Sequence, residues 1–241
     1  MIYEHKFLVC TRDVNSNLQI TNKSILEWME DIGSMHSDTA DCGMKTIAEN
    51  KLSWVIIQWK VKVYRRFGYG ENITVKTWIS GTKRLYTFRQ YAFYDEQGKL
   101  VAAACSKWVL THLEKGMISV PERILQSYGT HGETVFEEGN NLERLKAPME
   151  HQSVYEYVVP CTNIDINDHM NNIFYLDVAY QTMPIEVFKA HDSFGEFEIL
   201  YKRECKLHDR LKCFYTFENG YHIITIRDEE ARLLHAVVRL K

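Results

Sequence analysis

Asp165-Ile166-Asn167-Asp168-His169-Met170-Asn171-Asn172 runs directly into Ile173, Leu176, Tyr180, Met183 and Val187. The first eight residues are mostly polar and turn-forming. The apolar set that follows recurs every three or four positions, as one face of a helix does. A carboxylate (Asp165), a carboxamide (Asn167) and an imidazole (His169) therefore occupy alternate positions just before a helix start. The first-turn N–H groups of a helix lack intrahelical partners and point at the same place. Such a loop can polarise a carbonyl and hold a water against it. On spacing alone, the same residues equally suit an Asx-rich turn that caps the helix.

Working outward, the periodicity predicts a helix over 172–189, which Pro184 should kink or break because it lacks an N–H. A strand pattern precedes the loop at Val154–Val159. Others follow the helix at Glu196–Lys206, Arg210–Glu218, Tyr221–Arg227 and Ala231–Leu240. The same order is written once before. A strand at Tyr3–Val9 leads to a helix near Ser24–Met35, with Ile25, Leu26, Trp28, Met29 and Ile32 at helical spacing and Thr21 or Asn22 as N-cap. Ile57, Trp59, Val61 and Val63 then alternate with Gln58, Lys60 and Lys62, a period of two. Further strands are read at Asn72–Ser80, Leu85–Asp95 and Leu100–Thr111, with a turn at Asp95-Glu96-Gln97-Gly98.

Residues 127–152 hold Gly129, Gly132, Gly139, Pro148 and the acidic pair Glu137-Glu138 with little periodicity, and read as a linker. The expected organisation is an N-terminal domain over 1–126, a linker over 127–152 and a C-terminal domain over 153–241. Each domain is of α+β class, one helix and an antiparallel meander that wraps it. Asp13-Val14-Asn15-Ser16-Asn17 in the first copy echoes Asp165 to His169, but Asn17 stands where the imidazole would be and no asparagine pair follows it. The first copy is expected to be chemically silent.

Bulk properties narrow the partners. A chain of 241 residues with 45% hydrophobic and 25% charged residues is ordinary for a globular protein. A net charge of -3 gives no general attraction to nucleic acid, and no apolar run is long enough to span a membrane. Met1 leads at once into a strand pattern, which leaves no room for a signal or transit peptide and points to a cytoplasmic, bacterial protein. The six cysteines form no Cys-x-x-Cys pair, so free thiols in a reducing compartment are expected, with no metal and no cofactor.

The loop motif, followed by Phe174-Tyr175, resembles the Asp-x-Asn-x-His-x-Asn-Asn signature of the acyl-ACP thioesterases, plant and bacterial. Tyr201-Lys202-Arg203-Glu204-Cys205 is similar to that family's Tyr-Arg-Arg-Glu-Cys strand. Leu52-Ser53-Trp54-Val55, the run from Gly70 to Trp78 and Ser106-Lys107-Trp108-Val109 resemble its N-terminal markers, so the likeness extends from about Tyr3 to the last strand. The resemblance implies a tandem double hotdog, each half an antiparallel sheet around a long helix. It implies hydrolysis of fatty acyl-acyl carrier protein to free fatty acid and carrier. Two alternatives stay open: an acyl-CoA thioesterase of the same fold, and a non-catalytic module that binds acyl chains or the carrier.

Carried over residue by residue, the likeness implies that His169 orients or deprotonates water, Asn167 holds water or carbonyl, and Asp165 orients one of them. Asn171 and Asn172 brace the loop and substrate, and Trp28 and Met29 shape the acyl pocket. The family has been described both with a Cys–His pair and with the preceding Glu as base, so Glu204 and Cys205 are both candidates. As neighbours in a strand they would face opposite ways, and only one would enter the site. Glu204 is favoured, because water attack needs a base and no covalent intermediate. The carrier protein is acidic, and Lys202, Arg203, Arg65 and Arg66 are the expected docking residues. Self-association as a homodimer is left open.

Overall fold

The computed structural model describes residues 1–190 and 194–241, which form two compact units, Met1–Leu142 and Glu143–Lys241. In the first unit, β1 (Tyr3–Leu8) precedes the helices α1 (Asn22–Thr39) and α2 (Met44–Glu49). Four strands follow: β2 (Leu52–Val63), β3 (Asn72–Lys83), β4 (Tyr86–Tyr94) and β5 (Leu100–His112). A short β6 (Gly116–Ile118) and α3 (Glu122–Tyr128) complete it. Every pairing is antiparallel, in the order β1-β3-β4-β5-β2, with β6 folded back on the end of β5. Thr21 is the cap of α1, its Oγ1 accepting the Ser24 N–H at 3.0 Å. Ile25, Leu26, Met29 and Ile32 bury one face of α1 completely, each worth roughly 1.5–3 kcal/mol of apolar transfer.

The second unit places β7 (Ser153–Val158) before α4 (Phe174–Thr182) and α5 (Ile185–Ala190). The strands β8 (Glu196–Tyr201), β9 (Arg210–Glu218), β10 (Tyr221–Asp228) and β11 (Leu234–Leu240) follow, in the antiparallel order β8-β11-β10-β9-β7. The single helix expected over 172–189 is two helices. Pro184, with no N–H to give, separates them, and its carbonyl accepts the N–H groups of Val187 and Phe188 to start the second. The strand expected over 196–206 stops at Tyr201, because Lys202 N–H and Arg203 N–H both donate to the single carbonyl of His235 and leave the ladder.

The stretch read as linker, 127–152, begins in the last turns of α3, and its first half packs onto the first unit. Phe136 and Leu142 lie buried against Phe88, Ala103 and Cys105 on β4 and β5. Gln90 fixes this strap from below, its Nε2 donating to Asn140 Oδ1 at 2.9 Å and its Oε1 accepting the Val135 N–H at 3.2 Å. Trp78 Nε1 donates to the Glu133 carbonyl at 2.8 Å, and Lys60 pairs with Glu138. The small side chain of Ala103 on β5 leaves space for the strap's Phe136 and Leu142.

Candidate active site

The loop before α4 is a closed turn. Ile164 and Met170 form an isolated antiparallel bridge, and Asp165 N–H donates to the His169 carbonyl at 2.8 Å. Asp168 takes a left-handed conformation at φ 60°, which Asp tolerates better than most residues. Asp165 spends its carboxylate on the turn itself: Oδ1 accepts the Asn167 N–H at 2.8 Å and lies 3.4 Å from the His169 nitrogen. It therefore orients His169 and Asn167 through their backbone, not through the imidazole. The Asn167 carboxamide is left exposed. Asn171 closes an Asx turn just ahead of the helix, Oδ1 accepting the Ile173 N–H at 2.9 Å, while the Asn172 carbonyl accepts the Tyr201 hydroxyl at 2.9 Å. Phe174 N–H and Leu176 N–H also find acceptors nearby, the carbonyls of Asn171 and Ile173. These three N–H groups are therefore committed to the turn, and the oxyanion donors expected from them are not available there.

Glu204 and Cys205 do face opposite ways, although on an irregular segment and not in a strand. Glu204 is exposed and its Oε1 stands 3.4 Å from His169 Nε2. Cys205 is fully buried, with Sγ 3.2 Å from His235 Nδ1 and a hydrogen bond to the Tyr175 side chain. Burial pushes its thiol up to about 12, so it stays protonated at neutral pH. Its carbonyl accepts the Met170 N–H at 2.8 Å and ties this segment to the loop. Of the residues singled out in the sequence, the fold brings His169 and Glu204 together; Asn167 is exposed on the same loop, and Cys205 is buried behind Glu204. His235 and Tyr175 were not legible as parts of this site. Both lie about 30 residues from Cys205; Tyr175 reads as the start of the helix and His235 as part of an ordinary strand, and nothing local ties either to Cys205.

The same turn is built in the first unit, in a register the sequence echo misplaces. Val14 bridges Ile20, Asn15 N–H donates to the Gln19 carbonyl at 2.9 Å, and Leu18 sits at φ 57°. Asn15 Oδ1 accepts the N–H groups of Asn17 and Gln19, and Ile20 N–H donates to the Phe67 carbonyl as Met170 does to Cys205. Asn15 is therefore the counterpart of Asp165, not Asp13, and Gln19, not Asn17, stands for His169. Arg66 stands for Glu204 and Phe67 for Cys205. The echo was matched on the order Asp-x-Asn, whereas the backbone is matched on the bridging apolar pair.

The expected docking residues divide. Arg65 is already bound, to Glu71 (2.9 Å) and Asp95 (3.2 Å), and Arg66 to the Ile20 carbonyl and Asn22, so both serve the first unit internally. Lys202 and Arg203 are exposed beside Glu204. Trp28 is buried and stacked on Phe7 and Phe67, and Met29 is fully buried below it, so both belong to the core packing of α1.

Comparison with known proteins gives two family models in tandem. One is described as the acyl-ACP thioesterase N-terminal domain and matches residues 1–128. The other is the acyl-ACP thioesterase C-terminal domain and matches residues 146–238. The chain is 25% identical over 226 residues to oleoyl-acyl carrier protein thioesterase 1, chloroplastic, of Arabidopsis thaliana, covering 86% of this chain and 61% of that one. It spans less than two thirds of the length of the plant oleoyl relatives it matches. Among solved structures, an acyl-ACP thioesterase from Bacteroides thetaiotaomicron superposes with a TM-score of 0.87 at 21% identity, over 99% of this chain and 96% of that one. The 12:0-ACP thioesterase from Umbellularia californica gives 0.86 at 18%, over 100% and 96%. These likenesses establish the fold, the double hotdog expected from the sequence.

Proposed function

The chain belongs to the acyl-ACP thioesterase family, and on that premise we propose that it hydrolyses the thioester of fatty acyl-acyl carrier protein, releasing free fatty acid and carrier and ending chain elongation. The observation that carries this reading is the approach of His169 Nε2 to Glu204 Oε1, 3.4 Å, on an exposed face braced by Asp165 and Cys205. At that separation no water fits between the two groups, but one water can bond to both from the open side. Glu204 takes a proton as the water oxygen adds to the thioester carbon, and His169 holds the water by its imidazole. The Asn167 carboxamide donates to the carbonyl oxygen as charge develops on it. The C–S bond then breaks, and the carrier's thiolate regains the proton.

The acidic carrier would dock near Lys202 and Arg203, which are exposed beside Glu204. Thiol release measured separately with acyl-carrier protein and acyl-CoA tests the reading. A faster kcat/KM on the carrier-bound substrate supports it. Preference for the CoA ester would move the assignment to an acyl-CoA hydrolase, and binding without turnover would make the chain a non-catalytic module.

A further inference from the structure

We infer that His235 is a positioning residue, a clamp from β11 that fixes where Glu204 stands. The inference rests on Glu204 being the base. Once β8 ends at Tyr201, the segment 202–205 has no ladder to hold it, and His235 replaces the ladder. Its carbonyl accepts Lys202 N–H at 2.8 Å and Arg203 N–H at 3.2 Å. Its Nδ1 lies 3.0 Å from the Glu204 carbonyl and 3.2 Å from Cys205 Sγ. A carbonyl only accepts, so Nδ1 carries the hydrogen in this contact. The ring is buried at 8% exposure, and one residue thus holds the segment at four points.

The first unit supplies an internal control. There the Val101 carbonyl accepts Tyr64 N–H and Arg65 N–H at 2.8 and 3.1 Å, so the backbone half of the clamp is present in both copies. The side-chain half is not, because valine has nothing to donate. An imidazole reaching the peptide beyond the clamp occurs in the unit that carries His169 and Glu204, and is missing where Gln19 and Arg66 replace them. Losing the Nδ1–H donor frees the Glu204–Cys205 peptide to rotate, which swings the Glu204 carboxylate away from His169.

The test uses the full chain with His235→Ala, His235→Asn and His235→Gln, each with native Glu204 and with Glu204→Ala. It reads kcat and KM on acyl-carrier protein together with thermal melting. We expect His235→Ala to lower kcat on the order of 10- to 100-fold, the scale of a misplacement of about 1 Å, with KM nearly unchanged. Asn places an amide N–H near the Nδ1 position and should restore kcat to within about threefold, while Gln reaches the Nε2 position and should not. With Glu204→Ala in place, His235→Ala should cost less than about threefold more, because the two act through one path. Should His235→Ala fail to fold, His235→Asn must still fold and turn over for the inference to stand. A folded His235→Asn as slow as His235→Gln, or an undiminished loss in the Glu204→Ala background, would overturn it. Full activity of Glu204→Ala with native His235 would instead refute Glu204 as base, and this inference with it.

Discussion

Replacing Cys205 by Ala or Ser distinguishes water attack from a cysteine nucleophile. Burial holds the Cys205 thiol near about 12, five units above neutral pH, so only about one molecule in 10⁵ carries the thiolate at pH 7. At 1.36 kcal/mol per unit, forming the thiolate there costs on the order of 7 kcal/mol before any chemistry begins. Sγ is also fully buried, with Tyr175 on one side and His235 on another. We therefore expect Cys205→Ala and Cys205→Ser to keep kcat within about tenfold of the parent. The smaller alanine should lower the melting temperature, by the roughly 1 kcal/mol scale of a small cavity. Steady-state thiol release gives kcat, and acid quenching followed by intact-protein mass spectrometry shows whether an acyl group resides on the enzyme. An acyl adduct on Cys205 during turnover, or a folded Cys205→Ser with no activity, would refute the argument and make this a covalent enzyme.

His169→Ala and Asn167→Ala should fold and lose at least about a hundredfold in kcat, the usual scale of such groups, whereas Gln19→Ala at the matching position of the first unit should leave it nearly unchanged. Docking on Lys202 and Arg203 should make kcat/KM on acyl-carrier protein fall with ionic strength while kcat holds. Lys202→Glu with Arg203→Glu should raise KM for that substrate and barely affect a small thioester; equal salt sensitivity of both substrates would contradict it. His36, buried beside Arg89, is depressed to about 3, chiefly by burial and then by the guanidinium. The unfolded chain binds this proton below about 6.5 and the folded one only near 3, so stability present above 6.5 is lost progressively as pH falls between them. His36→Gln should flatten that part of a melting-temperature series against pH.

The sequence made the local features legible. Alternation over Ile57 to Val63 marked β2, and Thr21 before an apolar face marked the start of α1. The opposed directions of Glu204 and Cys205 hold, but on an irregular segment where strand alternation, the ground for expecting them, does not apply. What it concealed depends on partners far along the chain. Arg65 and Arg66 look like a free basic pair until Glu71, Asp95 and Asn22 fold against them. His235 sits in an ordinary strand pattern, and only the end of β8 at Tyr201 gives it a segment to hold. The repeat register slipped by two residues because identity at Asp-x-Asn outweighed the bridging pairs Val14–Ile20 and Ile164–Met170, which are hydrogen-bonding facts and not compositional ones.

The strap over β4 and β5 has a consequence in time. During synthesis the last strand of that face, β5, is complete at His112, but Leu142, which seals the face, is added 30 residues later. At about 5–20 residues per second, that interval is roughly 1.5–6 s. Through it, Phe88 and Ala103 meet water, or whatever apolar surface is nearest. A ribosome that pauses between 112 and 142 therefore holds out an adhesive nascent chain.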